Sequence, residues 1–257
     1  MAYSINAGGK RLRPQLVLAA ADYLGIEQER IQNAALAVEY LHTYSLIHDD
    51  LPAMDDDDVR RGRPTSHKVF GEAMAILAGD ALLTEAFVLM TRLGEAGFAP
   101  SGVVRATGQL ARAAGRQGLV RGQVQDLAGE HQELSLEALS EIHRNKTAVL
   151  FEACLSIPAL LVEDPHQAQV LSSFGRHFGL AFQMVDDILN VVGDARQLGK
   201  ATGTDAGLGK ATYPRLLGMD GARALLGEHV RDAKHGLDPK KAEVLEGLLT
   251  FAVERTW

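Results

Sequence analysis

The chain has 257 residues and a formal net charge of −7, with 46% hydrophobic and 23% charged residues. This is the composition of a globular protein that can bury a large core, and its acidity, with dispersed basic residues, excludes a general nucleic-acid binder. A single cysteine, Cys154, excludes an internal disulfide, and we expect it in the core of a cytoplasmic protein. Because we find no apolar run of about 20 residues, we expect no membrane span.

Apolar residues recur at three- and four-residue spacing through most of the chain, and alternating β-branched runs are nearly absent. Clusters of Gly, Pro and Asp separate these segments. The pattern predicts an all-α fold, with one domain over 1–257 built from long packed helices. The segment before GGKRLRP looks like the end of a helix, so we expect one or more helices upstream of Met1. The predicted helices are 14–24, 31–48, 68–93, 103–117, 135–161, 166–192, 213–234 and 240–255.

The stretch HDDLPAMDDDDVRRGRP contains six aspartates within ten residues, and three arginines follow them. Asp49 and Asp55 would lie on different faces of an uninterrupted helix, but Pro52 disfavours such a helix. We therefore expect the helix to end near Asp50 and the LPAM segment to bulge, which returns Asp55 toward Asp49. Converging carboxylates suit Mg²⁺, which binds carboxylates together with water and phosphate oxygens. The alternative, above all for 56–58, is an acidic surface loop paired with its own arginines.

A second acidic motif lies within FGLAFQMVDDILNVVGD, in an otherwise apolar predicted helix. Asp186 and Asn190 are four residues apart and share a helix face, and Gln183 joins them from three residues before Asp186. Charged residues in such surroundings are seldom buried without partners. Asp186 and Asp187 therefore predict a metal site, with a structural ion pair as the alternative. Two such motifs on separate helices can face each other across a bundle core.

Basic side chains accompany both acidic motifs. They are Lys10, Arg11 and Arg13 at a predicted helix start, Arg60 and Arg61 after the first motif, Lys146 beside Thr147, and Lys200 and Lys210 in a glycine-rich stretch. A helix start with basic side chains favours binding of an anion. The glycine-rich stretch does not match a P-loop, because alanine follows each lysine and no strand precedes it. A solvated surface lysine is the alternative at each of these positions.

Together these stretches resemble the short-chain trans-prenyl diphosphate synthases, most closely the bacterial-type farnesyl diphosphate synthases, or geranyltranstransferases. The resemblance covers essentially the whole chain and rests on GGKRLRP, LHTYSLIHDDLPAMDDDDVRRGRPTSHK, GQVQDL, HRNKT, FQMVDDILNVVGD and GKATGTDAGLGKATYP. It implies an all-α, isoprenoid-synthase-type bundle of long helices around a deep central cavity. The two aspartate-rich motifs would face each other across this cavity, and the protein would be a homodimer.

The resemblance also implies a role for each matching residue. The metal ligands would be Asp49, Asp50, Asp55, Asp186 and Asp187, holding three Mg²⁺ ions for which Mn²⁺ can substitute. The allylic diphosphate would be bound by Arg60, Lys146, Thr147, Gln183, Lys200 and Lys210. Isopentenyl diphosphate would be bound by Lys10, Arg13, His42 and Arg61, with a packed helix histidine as the alternative for His42. The catalytic set would be Asp49, Asp50, Asp55, Arg60, Lys146, Asp186 and Lys200.

The implied reaction joins isopentenyl diphosphate head-to-tail to dimethylallyl or geranyl diphosphate and gives (E,E)-farnesyl diphosphate. Ionisation of the allylic C–O bond leaves negative charge on the diphosphate, which metal ions and basic side chains stabilise. The isopentenyl double bond then attacks the cation and a proton is lost, so no protein nucleophile is required. In this family an aromatic residue five positions before the first motif stops growth at C15. Here that residue is Tyr44. Its neighbour Ser45, four residues before Asp49, lies closer than Tyr44 to the helix face of Asp49.

The sequence departs from the family pattern in two places. Asn190 stands where the second motif usually has its last aspartate, and the family carries roughly one or two more helices before GGKRLRP. The nearest alternative is a geranylgeranyl diphosphate synthase, against which Tyr44 and the longer first motif count. A class I terpene cyclase would leave GGKRLRP, His42 and Arg61 without a purpose. A non-catalytic prenyl-synthase-like subunit would be expected to have lost motif residues, and only Asn190 departs.

Overall fold

A computed structural model describes residues 1–192 and 211–254, and in this part of the chain the protein is a bundle of helices with one short hairpin. The predicted all-α class is therefore confirmed. The helices are α1 (Ala2–Ile5), α2 (Leu12–Tyr23), α3 (Gln28–Asp49), α4 (Ser66–Phe70), α5 (Glu72–Thr91), α6 (Pro100–Ala114), α7 (Leu119–Gly129), α8 (Leu136–His143), α9 (Val149–Leu161), α10 (Pro165–Val192), α11 (Tyr213–Ala233) and α12 (Glu243–Val253). The hairpin pairs β1 (Val59–Arg60) with β2 (Arg63–Pro64) in antiparallel register.

Several predicted helix boundaries differ from those observed. The predicted helix 68–93 is broken at Gly71, whose φ of 83° favours glycine, and becomes α4 and α5. The predicted helix 135–161 divides into α8, a π-helical turn (Arg144–Ala148) and α9. Helix α7 was not predicted, because Gly118 and Gly122 interrupt its apolar periodicity.

Helix α9 lies at the centre of the bundle. Every residue from Leu150 to Ala159 is buried, as expected for a helix that is apolar all round. Helices α2, α6 and α10 pack along it. The predicted core position of Cys154 is confirmed, and burial raises the pKa of its thiol to about 12. This thiol therefore stays protonated at neutral pH and is unsuited to act as a nucleophile or metal ligand.

Helix α5 packs on α3 but leaves much apolar surface exposed. Together with the 3₁₀ turn that follows, it forms an apolar segment, Glu72–Gly94, with a mean hydropathy of 1.7 and 33% of its most apolar window buried. By length and composition alone, this helix of the described chain is able to cross a membrane. The statement that the chain has no apolar run of this length is therefore wrong, whereas the absence of a membrane span stays a prediction. A partly exposed apolar helix is equally typical of a surface that another protein covers.

The π-helical turn is held between α7 and α10 by two glycines. A Cβ on Gly122 of α7 would lie 2.1 Å from the backbone nitrogen of Lys146, and a Cβ on Gly179 of α10 would lie 2.4 Å from the Cα of Ala148. Only glycine permits backbones to approach this closely. The turn is therefore fixed from both sides, which places Lys146 and Thr147 between the two helices.

Replacing the glycine on α10 tests this packing. We expect Gly179→Ala to lower the free energy of unfolding by about 1–3 kcal/mol, because the new methyl group overpacks the turn. Gly247→Ala on α12 is the matched control, since a Cβ there meets nothing within 4 Å. Alanine should stabilise that exposed helical position by up to about 1 kcal/mol. Urea unfolding of both variants gives the comparison, and equal effects would contradict the packing account.

Candidate active site

The first acidic motif begins where α3 ends. Asp49 is the last helical residue, and Asp50 follows it at the C-cap. The chain then turns, and the backbone N–H of Asp55 donates to the carbonyl oxygen of Asp49 at 2.9 Å. The carbonyl of Leu51 accepts from Met54 at 2.8 Å within the same turn. The predicted return of Asp55 toward Asp49 is thus confirmed, and the turn that contains Pro52 produces it.

Part of the acidic stretch is paired with neighbouring basic residues. Arg60, on β1, forms an ion pair with Asp50 and a second with Asp57, whose Oδ2 lies 3.0 Å from its Nη2. Lys68 on α4 pairs with Asp58 at 2.7 Å. Burial raises the pKa of Asp50, and the charge of Arg60 opposes that effect. Asp57 and Asp58 therefore fit the alternative of a surface loop paired with basic residues, whereas Asp50 is a buried member of the first motif.

The surroundings of Asp49 disfavour its ionised form. Its Oδ1 accepts a hydrogen bond from Nε2 of Gln123 on α7 at 2.9 Å. Burial raises the pKa of Asp49 to about 6; the charges of Asp55 and Asp50 add to the rise, whereas Lys146 and Arg60 counter it. Clustered, partly buried carboxylates of this kind favour either a proton or a cation. Asp49 is therefore well suited to bind a multivalent cation.

Lys146 lies on the π-helical turn and faces α7. Its Nζ is 2.6 Å from Oδ2 of Asp126, and the glycine contact at Gly122 brings the two elements together. The influence of Lys146 on the pKa of Asp49 shows that its charge also reaches the first motif. One helix, α7, thus holds both the amide that orients Asp49 and the carboxylate that orients Lys146.

The second acidic motif is joined to the same turn by hydrogen bonds. The hydroxyl of Thr147 donates to Oε1 of Gln183 at 3.0 Å, and Nε2 of Gln183 donates to Oδ1 of Asp187 at 3.2 Å. The other oxygen of Asp187 accepts from the backbone N–H of Tyr213, at the start of α11, at 3.0 Å. Burial lowers the pKa of Arg13, and the charge of Asp186 is one of the influences that oppose this shift, so Asp186 lies within electrostatic reach of the N-terminal basic segment.

The N-terminal basic segment lies next to the hairpin that follows the first motif. Gly8 and Gly9 have φ values of 91° and 107°, and the guanidinium of Arg61 packs against them, with Nη1 donating to the carbonyl of Gly8 at 2.5 Å. A Cβ on Gly9 would lie 2.5 Å from Cζ of Arg61. Gly9 therefore makes room for the guanidinium of Arg61, whereas a Cβ on Gly8 would meet nothing within 4 Å among the described residues. A small cavity beside them is lined by Asp50, Arg60 and Arg61.

Arg13 and His42 form a partly buried pair. Nη1 of Arg13 lies 3.1 Å from Nε2 of His42, and because arginine only donates, Nε2 must accept. Burial, together with the charges of Arg13 and Arg61, holds the pKa of His42 well below 6.5, so the ring is neutral with its proton on Nδ1. The guanidinium of Arg13 stacks 4.4 Å from the ring centroid of Phe151, and its buried Nε has no hydrogen-bond partner within residues 1–192 and 211–254. A buried cation with an unused donor is suited to bind an anion.

The other two basic residues of the N-terminal segment point elsewhere. Arg11 forms an ion pair with the buried carboxylate of Glu39 and donates to the carbonyl of Ile5, so it stabilises the fold. The Nζ of Lys10 lies 5.5 Å from the ring centroid of Phe251 on α12. The structure thus brings Arg13, but not Arg11, to His42, and it places Lys10 next to the C-terminal helix.

The two candidate chain-length residues are both buried on α3. Tyr44 is 6% exposed, and its ring makes an edge contact with His48, with 5.6 Å between centroids. Burial raises the pKa of Tyr44 to about 12, and the charge of Asp49 contributes. Ser45 donates from its hydroxyl to the carbonyl of His42 at 2.9 Å, so this hydroxyl is taken up by its own helix. Tyr44 therefore offers the larger side chain close to the first motif.

Sequence reasoning missed two residues that the structure places in the site. Gln123 and Asp126 lie within GQVQDL, a stretch that was recognised but given no role, and they contact Asp49 and Lys146. Their three-residue spacing on one helix face was the available signal. Lys200 and Lys210 lie outside the described residues, so their predicted roles stay predictions.

The donor set fits magnesium. The candidate ligands Asp49, Asp50, Asp55, Asp186 and Asp187 offer only carboxylate oxygens, the donors that Mg²⁺ prefers. The raised pKa of Asp49 shows that this carboxylate is not fully compensated by the basic residues around it. The residues present are therefore compatible with magnesium bound between the two motifs.

Comparisons with known proteins agree with this geometry. A family model described as Polyprenyl synthetase matches residues 1–247. The farnesyl diphosphate synthase of Geobacillus stearothermophilus is 47% identical over 255 residues, covering 99% of this chain and 85% of that protein. Geranylgeranyl pyrophosphate synthase 9, chloroplastic, of Arabidopsis thaliana is 47% identical over 256 residues, covering 97% of this chain and 71% of that protein.

Solved structures give the same result. The crystal structure of geranyltransferase from Helicobacter pylori, complexed with magnesium and isoprenyl diphosphate, matches with a TM-score of 0.87 at 34% identity. The match covers 99% of this chain and 87% of that one. Relatives that differ in product length are thus equally similar to this chain, so the product must be argued from residues in the site.

The pKa of Asp49 leads to a stability test in the metal-free protein. Because its folded pKa of about 6 exceeds the ordinary value of 3.8, ionised Asp49 lowers stability as pH rises between these values, and the full cost is present above pH 6. We expect Asp49→Asn, which keeps the oxygen that accepts from Gln123, to be more stable than wild type at pH 8 by at most about 3 kcal/mol. The gain should shrink toward pH 5.

Chemical denaturation at the two pH values, with a chelator present, measures this difference. Asp58→Asn is the control, because that carboxylate is exposed and paired with Lys68, which lowers its pKa. No stabilisation is expected for the control. An Asp49→Asn protein that is less stable than wild type at pH 8 would show that the ionised carboxylate is well compensated.

Proposed function

This chain belongs to the polyprenyl synthetase family and is a trans-prenyltransferase, and we propose from this premise that its product is (E,E)-farnesyl diphosphate. The substrates would be isopentenyl diphosphate and an allylic partner, dimethylallyl and/or geranyl diphosphate, joined head-to-tail. The observation that carries the proposal is the set of contacts linking Asp49, Gln123, Lys146, Gln183 and Asp187 around the π-helical turn. These contacts connect one carboxylate of each motif to the elements that hold Lys146, which supports a single site.

Magnesium fits this proposal as the metal. We propose three ions, held by Asp49, Asp50 and Asp55 on one side and Asp186 and Asp187 on the other, with Mn²⁺ as a possible substitute. When bound, the metal would act as a Lewis acid that neutralises charge on the allylic diphosphate. The clustering of like charges around Asp49 supports this assignment, because it leaves the carboxylates in need of a cation.

The basic side chains would stabilise the leaving group. Arg60 pairs with Asp50, and Lys146 pairs with Asp126. The charges of Arg60 and Lys146 also oppose the rise in the pKa of Asp49 that burial causes. An allylic diphosphate between the motifs would offer them a more highly charged anion than a single carboxylate. Their positive charge would then oppose the negative charge that develops as the C–O bond breaks. Thr147, Gln183, Lys200 and Lys210 are proposed to bind the same diphosphate.

Isopentenyl diphosphate is proposed to bind at the second basic cluster. Arg13 offers a buried, unused Nε donor, and the neutral His42 beside it keeps its Nδ1 proton for donation. Arg61 packs against Gly8 and Gly9, next to Lys10 in the chain. Phe151 covers one face of the Arg13 guanidinium and so keeps it in position.

Alternative functions differ in what they leave unexplained. A geranylgeranyl diphosphate synthase would use the same chemistry but a deeper chamber, and the bulky, buried Tyr44 near Asp49 favours the shorter product. A non-catalytic subunit would not need the hydrogen bonds and the ion pair that connect both motifs to the π-helical turn. We further propose a cytoplasmic protein with no nucleic-acid partner, on the basis of its net charge of −7 and its buried cysteine.

The apolar surface of four helices supports a homodimer. Phe70, Met74, Leu77, Val104 and Val124 are exposed on α4, α5, α6 and α7, and consecutive helices of this set pack against each other. Exposed apolar surface of this extent marks a protein–protein contact in a protein that does not use it for lipid. We propose that a second copy of the chain covers it.

Product length is tested by replacing Tyr44. Wild type incubated with isopentenyl diphosphate and either dimethylallyl or geranyl diphosphate should give a C15 product that depends on Mg²⁺. Tyr44→Ala should shift the product to C20 or longer, because it removes the ring near Asp49. Tyr44→Phe is the control that keeps the ring and should still give C15. Chromatography of the dephosphorylated products gives the chain length.

Three other outcomes are informative. A C20 product from wild type would keep the chemistry and favour the geranylgeranyl alternative. Unchanged C15 from Tyr44→Ala would remove Tyr44 from its proposed role. Failure of the folded wild type to form any product would favour a non-catalytic subunit.

The dimer is tested at the exposed apolar surface. Leu77 is 60% exposed, and Leu77→Asp should convert a dimer to a monomer because it places a charge in the proposed contact. Val244→Asp on α12, at a residue 49% exposed, is the control and should leave the dimer intact. Light scattering during gel filtration measures the mass. A monomeric wild type, or one that sediments with lipid vesicles, would refute the dimer proposal.

A further inference from the structure

Two histidines and an aspartate meet where α10 packs against α11. His177 lies nine residues before Asp186 on α10, and His229 and Asp232 lie three residues apart on α11. One nitrogen of each ring and one carboxylate oxygen lie within 4.8 Å of one another. A spacing of three residues puts His229 and Asp232 on one helix face, so that both point toward α10. We call these three residues the His–His–Asp cluster.

The two imidazole rings are in direct contact. Their Nδ1 atoms are 2.9 Å apart and their centroids 5.1 Å apart, with 45° between ring planes. At that distance one Nδ1–H donates to the other Nδ1, so one of the two Nδ1 atoms presents a lone pair. The contact does not require a metal, but it places two nitrogen donors on facing helices next to a carboxylate.

The charges around the cluster favour a cation. Burial lowers the pKa of His177, and burial and the neighbouring His177 lower that of His229, so both rings are neutral near pH 7 and able to bind a metal. Arg176, next in the chain, is turned to Glu152, with Nε 3.1 Å from Oε1. Within the described residues Asp232 makes no ion pair with a lysine or arginine. Its charge is therefore available to the cluster.

We propose that the His–His–Asp cluster is a binding site for a transition-metal ion of the Zn²⁺ class, separate from the magnesium site. Two imidazoles and one carboxylate are a common ligand set for zinc, whereas Mg²⁺ prefers oxygen donors. Zinc bonds of about 2.0–2.1 Å in tetrahedral geometry place two ligand nitrogens about 3.3 Å apart. The rings need to separate by only about 0.4 Å from their present 2.9 Å. Water would complete the coordination, because Asp232 is exposed.

A metal in this site would join α10 to α11. These helices are already linked at their other end by the hydrogen bond from the N–H of Tyr213 to Asp187 of the second acidic motif. Helix α11 changes direction at Gly218, where φ is 72°, between that bond and His229. The metal would therefore fix the part of α11 that the Tyr213 bond does not fix, and it should raise the thermal stability of the protein.

Zinc binding measured in the presence of excess Mg²⁺ tests the proposal, because Mg²⁺ keeps the carboxylate motifs occupied. Equilibrium dialysis should show that wild type binds one more Zn²⁺ per chain than His177→Asn/His229→Asn. Asp232→Asn should weaken this binding by at least about tenfold, because the loss of a direct ligand should cost no less than the loss of an outer-shell partner. His166→Asn is the control, since His166 is exposed on α10 about 16 Å from His177 along the helix. It should bind zinc as wild type does.

Two further measurements distinguish a site from non-specific uptake. Zn²⁺ should raise the melting temperature of wild type and of His166→Asn, but not that of the double variant. Co²⁺ used in place of Zn²⁺ should show the strong visible absorption of a low-coordinate site with nitrogen ligands, and the double variant should lose it. Equal zinc stoichiometry in wild type and the double variant would overturn the proposal. If the double variant does not fold, unchanged zinc affinity in Asp232→Asn, an exposed substitution, would also overturn it.

Discussion

The close packing of the π-helical turn between two glycines is the constraint on which the site depends. With Gly122 on one side and Gly179 on the other, no side chain separates this turn from α7 or α10. The turn carries Lys146 toward α7 and Thr147 toward α10. Each of the two acidic motifs is thereby connected to the same short segment. Asp49 is connected to it through Gln123 on α7, and the second motif is connected to it through Gln183 on α10. A π-helical turn is a rare feature that often marks functional sites, and here it orients two neighbouring side chains toward different partners.

Charge compensation explains how so many ionised groups coexist in the site. Arg60 pairs with Asp50, and Lys146 pairs with Asp126, so each of these cations is balanced by a neighbouring carboxylate. Burial raises the pKa of Asp49 to about 6 despite the charges of Lys146 and Arg60, and the buried Nε of Arg13 has no hydrogen-bond partner among the described residues. A carboxylate that favours a cation and a guanidinium with an unused donor suit a ligand that brings both a metal and an anion. A metal diphosphate meets both requirements.

Much of this could be predicted from sequence, because local chemistry decides it. Pro52 predicts the end of α3 and the return of Asp55, and the apolar run around Cys154 predicts the central helix. The contacts of Gln123 could not be predicted, because Gly118 and Gly122 hide α7 from a periodicity argument and the partner lies 74 residues away. The family resemblance already selects Arg13 rather than Arg11 for the site, and the structure adds the physical reason, which is that Arg11 pairs with Glu39. The apolar character of α5 is hard to read from the sequence, because Asp80 and Glu85 interrupt its apolar residues.

The most direct test of this account is a crystal structure of the protein with Mg²⁺, isopentenyl diphosphate and an unreactive thio-analogue of the allylic diphosphate. The account predicts that metal ions bridge Asp49 and Asp186 through one diphosphate, that Arg60 has turned from Asp50 to that diphosphate, and that Arg13 contacts the other. Metal bound at the first motif alone, or a diphosphate bound away from Lys146, would contradict the proposal that the π-helical turn unites the two motifs into one site.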